Sequence, residues 1–369
     1  MNNKNYQTFF DCGFSKIRAG VFNRNNQNKV FYSESEFFTD QPNLELEIQK
    51  IISLFEKDTN EYIDNINLMI DSPKMISVGI SISKKIDGSI LKKTDIQFLV
   101  QEAKQQISKY YSNYNITHII INNYKIDNVD YAYLPDEIKC NFICLDIFFI
   151  CLPVDLIIYY KDIFSKSNIS INKIICSSYA KSINYKDNLD LTGHTSFIDV
   201  GFNKTSIFSY YNDIFLSLNI LPIGGNHITK DISKILGIDL EQSEKIKINF
   251  DKNLKILNDK NISIDKLQKI IFARTEEILE LCTKSLESNL LIFGKFKMIL
   301  MGEGSKILDN EYKDKIFFDT DIDFLDETSE NICQSGFKLT MGLNKREVVV
   351  VPKKQIKLGF FEKLFHLFR

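Results

Sequence analysis

Apolar residues recur along this chain with two periods. Short apolar runs at 66–70, 75–83, 117–124, 140–152 and 171–176 predict strands. Between them, spacing near 3.6 predicts helices at 43–60 (Leu44, Ile48, Ile51, Ile52, Phe55), 95–110 (Ile96, Leu99, Val100, Ala103, Ile107) and 154–165. A longer helix is predicted over 264–291, where Ile270, Ile271, Ala273, Ile278, Leu279, Leu281 and Cys282 form the apolar side and Arg274, Glu276, Glu277 and Glu280 face water. The longest apolar run, 142–154, is too short to span a bilayer and is interrupted by Asp146 and Pro153, so it reads as a buried strand. Strands and helices interleaved in this way predict an α/β fold.

The stretch 196–237 carries the densest candidate chemistry. An apolar run ends at Asp199, Gly201 follows, and two further runs meet at the turn Asn212-Asp213, which predicts a hairpin. The chain then passes Pro222 and Gly224-Gly225 into a helix with apolar Ile228, Ile232, Ile235 and Leu236, for which Thr229 is the expected start residue. Glycines leading into a helix amino terminus make a phosphate site. A shorter copy lies at 9–22, with Asp11, Gly13, Ser15 and Lys16 in the same order. In each copy the carboxylate falls at a strand end, where it can hold Mg²⁺ through waters while the glycine admits phosphate oxygens to the main chain. A third strand at 296–301 runs into Gly302, Gly304 and Ser305, bare backbone suited to a base or ribose. One Asp-x-Gly is usually only a β-turn; three such loops in this order predict two facing hairpins clamping a triphosphate.

Composition narrows the classes. The 369 residues suffice for two lobes with cores of their own, and a net charge of −2 gives no nucleic-acid footprint. Seven cysteines without paired CxxC spacing predict reduced, structural thiols, and four histidines show no metal-ligand spacing. The opening MNNKNYQTFF has one basic residue and no long apolar core, so no secretory signal is expected there.

The order and spacing of these loops resemble the actin and Hsp70 type of ATPase fold, and LPIGGNHITKDISKILG at 221–237 resembles the bacterial cell-division protein FtsA family in particular. The resemblance implies a two-lobed fold with an inserted small α+β subdomain of the family's 1C type. It divides the chain into a first lobe at 1–72 and 153–192 (1A type), the insert at 73–152, a second lobe at 193–238 and 299–349 (2A type), a 2B-type subdomain at 239–298, and a linker with an amphipathic helix at 350–369. It implies ATP and Mg²⁺ as ligands, with Asp11 and Asp199 as Mg²⁺- and water-positioning candidates. Gly13, Ser15, Lys16, Gly201, Asn203 and Thr205 would meet the phosphates. Gly224, Gly225, Glu244, Lys247, Gly302, Gly304 and Ser305 would meet the nucleoside side, and Gly342 resembles part of the second connecting helix. The implied partners are the tail of the tubulin-like protein FtsZ on the 2B-type subdomain, further copies in a filament, and other divisome proteins. The implied place is the cytoplasmic face of the bacterial inner membrane at the division site. Departures from the family's Asp-Ile-Gly-Gly-Gly-Thr-Thr-Asp run at 199–206, Phe14 in the first loop and Glu303 in the third leave nucleotide binding in place and weigh against hydrolysis. The expectation is a nucleotide-dependent scaffold, at most a weak ATPase. Two other readings stay open: a PilM-type pilus-assembly protein, which predicts no free membrane helix at the carboxyl end, and a small-molecule kinase, which needs a base at the acceptor hydroxyl for which no candidate stands out.

The carboxyl-terminal stretch is a second line of argument. On a helix, Ile356, Leu358, Phe360, Phe361, Leu364, Phe365, Leu367 and Phe368 share one face and Glu362, Lys363, His366 and Arg369 the other, with Lys357 able to reach water along its stem. Such a helix either docks on the protein's own core or lies in a membrane interface; Lys353 and Lys354 ahead of it, with the family resemblance, favour the membrane. One short anchor binds weakly, and a filament of anchored copies would bind through effective concentration.

Overall fold

The computed structural model describes residues 6–37, 43–189, 192–248, 263–293, 296–307, 321–325, 327–342 and 346–348. The chain opens with three strands, β1 (Tyr6–Cys12), β2 (Lys16–Asn23) and β3 (Lys29–Glu36), paired antiparallel in succession. Helix α1 (Leu44–Thr59) follows, buried through Ile48, Ile51, Ile52 and Phe55. Asn43 caps it by accepting from Leu46 N–H, and Asn60 ends it in the left-handed conformation. Strand β4 (Asn65–Ile70) then adds parallel to β1.

A separate unit begins after Asp71. Strands β5 (Ile76–Lys85), β6 (Tyr114–Ile126), β7 (Val129–Tyr131) and β8 (Phe142–Pro153) form a sheet ordered β5-β8-β6-β7, with α2 (Lys93–Tyr110) packed on it. Leu99, Val100 and Ala103 of α2 meet Ile119, Ile143, Leu145 and Ile147 in a core of its own. The apolar run at 142–154 is therefore a buried strand running directly into α3 (Val154–Lys166). Strand β9 (Ser170–Cys176) completes the first sheet, ordered β3-β2-β1-β4-β9.

Helix α4 (Ser177–Asn188) crosses to a second sheet made of β10 (His194–Val200), β11 (Thr205–Tyr211), β12 (Ile214–Leu221), β13 (Lys297–Met301) and β14 (Asp321–Phe324). Its order, β12-β11-β10-β13-β14, repeats that of the first sheet strand for strand, with antiparallel and parallel pairings in the same places. Inserted before β13 are α5 (Gly225–Leu236), α6 (Leu240–Ile248) and α7 (Ile264–Phe293). Helix α5 starts at Gly225, four residues ahead of the expected Thr229, because Gly224 and Gly225 tuck against the 201–204 turn and begin the helix there. Thr229 lies one turn inside, its hydroxyl donating to Gly225 O at 3.2 Å.

The two lobes share α4 and α8 (Ser329–Thr340). On α8, Phe337 stacks on Phe22 at 4.9 Å and meets the edge of Phe9 at 6.0 Å, while Gly336 lets Met69 approach the helix backbone. On α4, Ser182 lies 2.8 Å from the Tyr210 hydroxyl of the second sheet. Burying each such aromatic ring contributes roughly 1.5–3 kcal/mol. After α8 the chain reaches the insert: Ile121 N–H donates to Arg346 O and Val348 N–H to Ile119 O, each at 2.9 Å, so residues 346–348 lie along β6. All seven cysteines are free thiols. No helix among the described residues is long and apolar enough to cross a membrane. The expected amphipathic helix, with Ile356 to Phe368, lies outside the described residues.

Candidate functional site

Identical sheet order places two similar turns face to face. In the first lobe Gly13 N–H donates to Lys16 O, and in the second Gly201 N–H donates to Lys204 O, both at 2.9 Å. Asp11 lies one residue before the end of β1 and Asp199 one before the end of β10. Between the lobes is a cavity of about 450 Å³, in the size range of small-molecule sites, lined by both turns and by Gly225, Gly302 and Gly304. Close backbone approach explains these glycines. A Cβ on Gly304 would come within 2.7 Å of Val200 O, and one on Gly302 would collide with the Asp199 carboxylate. Tight turns of this kind can present main-chain amides to an anion, whereas the first amides of α5, at Gly225, Asn226 and His227, already donate to Gly201 O, Phe202 O and Gly224 O.

Most of the charged groups in the cleft are paired. Asp11 accepts from Ser177 Oγ at 2.6 Å and from Arg18 Nη1 at 2.8 Å. Burial outweighs these partners and raises its carboxyl above the ordinary range. Asp199 accepts from Lys181 Nζ of α4 at 2.7 Å, and the same ammonium reaches Glu327 at 3.2 Å. Burial alone would push the Lys181 ammonium down; the two carboxylates overcome it and hold the group well above its usual value. Glu327 also accepts from Gly302 N–H at 3.1 Å and from Tyr185 OH at 2.9 Å. Lys204 pairs with Asp71 at 3.1 Å, and Asp71 accepts from Ser178 N–H at the amino terminus of α4, where helix dipole and carboxylate reinforce one another. Glu303 accepts from Lys16 at 3.0 Å and from Arg18 Nη2 at 2.8 Å. Burial works against its ionised form, but Arg18 and Lys16 draw it down to about 2.

The other end of the cavity is different in character. Leu267, Gln268 and Ile271 of α7 with Ile248 of α6 give an apolar wall with one amide. Beneath it Lys247 donates to Glu244 at 2.6 Å, to Thr229 Oγ1 at 2.8 Å and to Gly225 O at 3.1 Å. Burial lowers the Lys247 ammonium below its usual range despite the Glu244 partner.

Of the residues singled out from sequence, Asp11, Asp199, Gly13, Ser15, Lys16, Gly201, Gly225, Glu244, Lys247, Gly302 and Gly304 line the cavity. Four are not on its wall and support the turns from behind. Thr205 donates to Ile223 O at 2.7 Å, Asn203 accepts from Asn226 at 2.9 Å, Gly224 packs on the 201–204 turn, and Ser305 donates to Gly302 O at 2.6 Å. Sequence reasoning missed Arg18, Asp71, Ser177, Lys181 and Glu327. Arg18 sits on the expected strand two residues after Lys16 and could have been noticed there; the others come together only through the crossing of α4.

Comparison with known proteins follows the same division between lobes. Residues 196–293 match the family model of cell division protein FtsA. The chain is 25% identical to cell division protein FtsA of Buchnera aphidicola subsp. Schizaphis graminum over 179 residues, covering 48% of this chain and 42% of that one. With cell division protein FtsA of Bacillus subtilis it is 33% identical over 106 residues, covering 25% and 24%. The matched stretches thus span less than half the length of these curated relatives. Among solved structures, the PilM-PilN type IV pilus biogenesis complex superposes with a TM-score of 0.64 at 14% identity, covering 91% of this chain and 97% of that one. Ethanolamine utilization protein EutJ from Carboxydothermus hydrogenoformans gives 0.52 at 9% identity, covering 90% and 89%. The chain has the actin-like ATPase fold, and in sequence, through its second lobe, it resembles the cell division protein FtsA.

Proposed function

We propose that this protein is an ATP-binding, actin-like cell-division protein that polymerises and tethers an FtsZ ring to the cytoplasmic membrane. The observation that carries the reading is the pair of facing Asp-x-Gly turns around an interlobe cavity, in a chain whose second lobe matches FtsA. The residues fit a nucleotide. Both turns are closed by glycines, the far wall is apolar, and the buried Arg18 Nε has no acceptor among the described residues. Gly13, Gly201 and Gly225 would take the phosphates, with Lys16 and Lys204 beside them. Leu267 and Ile271 would pack on the base, and Lys247 and Glu244 would face the ribose. Among the described residues no group of three or more His, Cys, Asp or Glu is placed to hold a metal directly. Mg²⁺ would therefore ride on the phosphates and be positioned through water by Asp11 and Asp199, lowering the charge that the cleft must accept. Nucleotide would act by closing the lobes on α4 and α8 and so favouring assembly. Apolar residues between 356 and 368 would supply the membrane anchor, and the 239–298 region the FtsZ-tail surface.

Titration of the full chain with Mg-ATP tests the first half of the reading; absence of binding at millimolar ligand defeats it. Vesicle flotation tests the second, with the full chain floating and a chain truncated after Val351 remaining at the bottom. The structural likeness to the PilM-PilN complex supports one competing reading, a pilus-assembly protein. Retention of an FtsZ-tail peptide separates the two, since only the division reading expects it.

A further inference from the structure

Cations and carboxylates line the cleft in equal numbers, and five of the cations, Lys16, Arg18, Lys181, Lys204 and Lys247, are already engaged by the protein's own carboxylates. A phosphate chain entering such a site exchanges for an anion already present. The group placed for that exchange is Glu303. Its Oε1 lies 3.0 Å from Lys16 Nζ and 2.8 Å from Arg18 Nη2, joining the third loop of the second lobe to the first hairpin of the first. It is also the most exposed of the carboxylates that bridge the lobes across the cleft, at 33% for the side chain against 7% for Asp199 and 2% for Glu327. Ser329 Oγ donates to the same oxygen at 3.2 Å.

We propose that Glu303 is a built-in stand-in for a phosphate. Resting on the proposed nucleotide site, this assigns to one residue the setting of how many phosphates the cleft accepts. Lys16 also pairs with Glu36 at 2.5 Å and Glu34 at 3.5 Å, and Arg18 with Asp11 at 2.8 Å, so Glu303 adds negative charge to two cations that already have carboxylate partners. Each added phosphate must displace Glu303 or lie beside a like charge. The penalty is larger for a nucleoside triphosphate than for a diphosphate. The same carboxylate is one of the links between the lobes, together with the Lys181–Asp199 and Lys204–Asp71 pairs.

The test uses the full-length wild-type protein, Glu303→Gln and Glu303→Ala, titrated with Mg-ADP and Mg-ATP at low and high salt. Both variants are expected to fold, because Arg18 keeps Asp11 at 2.8 Å and Lys16 keeps Glu36 at 2.5 Å. Near-ultraviolet circular dichroism checks this, and Glu241→Gln on the exposed face of α6 serves as a control with unchanged binding. The expected result is Mg-ATP binding about tenfold tighter in both Glu303 variants, a smaller gain for Mg-ADP, and a gain that shrinks with salt. Equal or weaker ATP binding by the variants, with the wild type binding, overturns the proposal and leaves the nucleotide reading standing. No binding by any of the three proteins overturns both.

Discussion

Lys181 shows how much of this site depends on single buried charges. Its ammonium lies between Asp199 and Glu327, with side chains 5%, 7% and 2% exposed. Lys181→Met leaves two buried carboxylates without their cation and is expected to destabilise the protein by about 3–5 kcal/mol, read from the urea midpoint. Lys181→Arg, which keeps the charge, should lose much less. Glu303 gives a pH signature. Its folded-state value, about 2, lies below the ordinary 4.5, so its contribution to stability is complete above pH 4.5 and is lost as the pH falls towards 2. Unfolding followed across that window should show a steeper loss in the wild type than in Glu303→Gln; parallel curves would refute the assignment. The aspartates were legible in the sequence because Asp-x-Gly is a local pattern at a strand end. Their partners were not: Lys181 and Glu327 are separated by 146 positions, and only the crossing of α4 over both sheets brings them together.

Among the elements, α5 has an entry fixed by close backbone approach. A Cβ on Gly224 would collide with Gly201 O and come within 2.8 Å of Phe202 O and 3.0 Å of Lys204 N, all rigid backbone. One on Gly225 meets nothing closer than Lys247 Nζ at 3.5 Å. Gly224→Ala is therefore expected to destabilise by about 1–3 kcal/mol, whereas Gly225→Ala, inside the first turn of a helix, changes stability by less than about 1 kcal/mol. Chemical denaturation distinguishes them. Apolar spacing made α1, α2 and the strands of the insert readable, since each buries one face. The start of α5 was misplaced because Thr229 looks like a capping residue, yet its hydroxyl turns inward to Gly225 O and Glu244. Its signal was overridden by glycines seated on a neighbouring turn.

At the scale of the molecule, two sheets of identical strand order face each other across α4 and α8, and the interlobe contacts combine an apolar hinge with ion pairs at the cleft. The repeated turn was visible in sequence; the equal strand order was not, because β4, β9, β13 and β14 carry no mark of their neighbours. Residues 346–348 complete a contact with the insert that local pattern could not announce. Glu347, buried against His118 Nδ1 at 2.8 Å, helps hold that short strand, and His118 Nε2 in turn accepts from Cys176 N–H at 2.9 Å. Glu347→Gln should accelerate hydrogen exchange at the Ile121 and Val348 amides and leave the second sheet unchanged. The position of this strand decides where tension is felt. A pull on the chain beyond Val348 is delivered to β6 through the bridge between Ile120 and Glu347. It enters through the insert, which is bonded to β12 of the second lobe by Asn122 and Phe215 and runs directly into α3 of the first, so tension at that point reaches both lobes without first crossing the hinge helices.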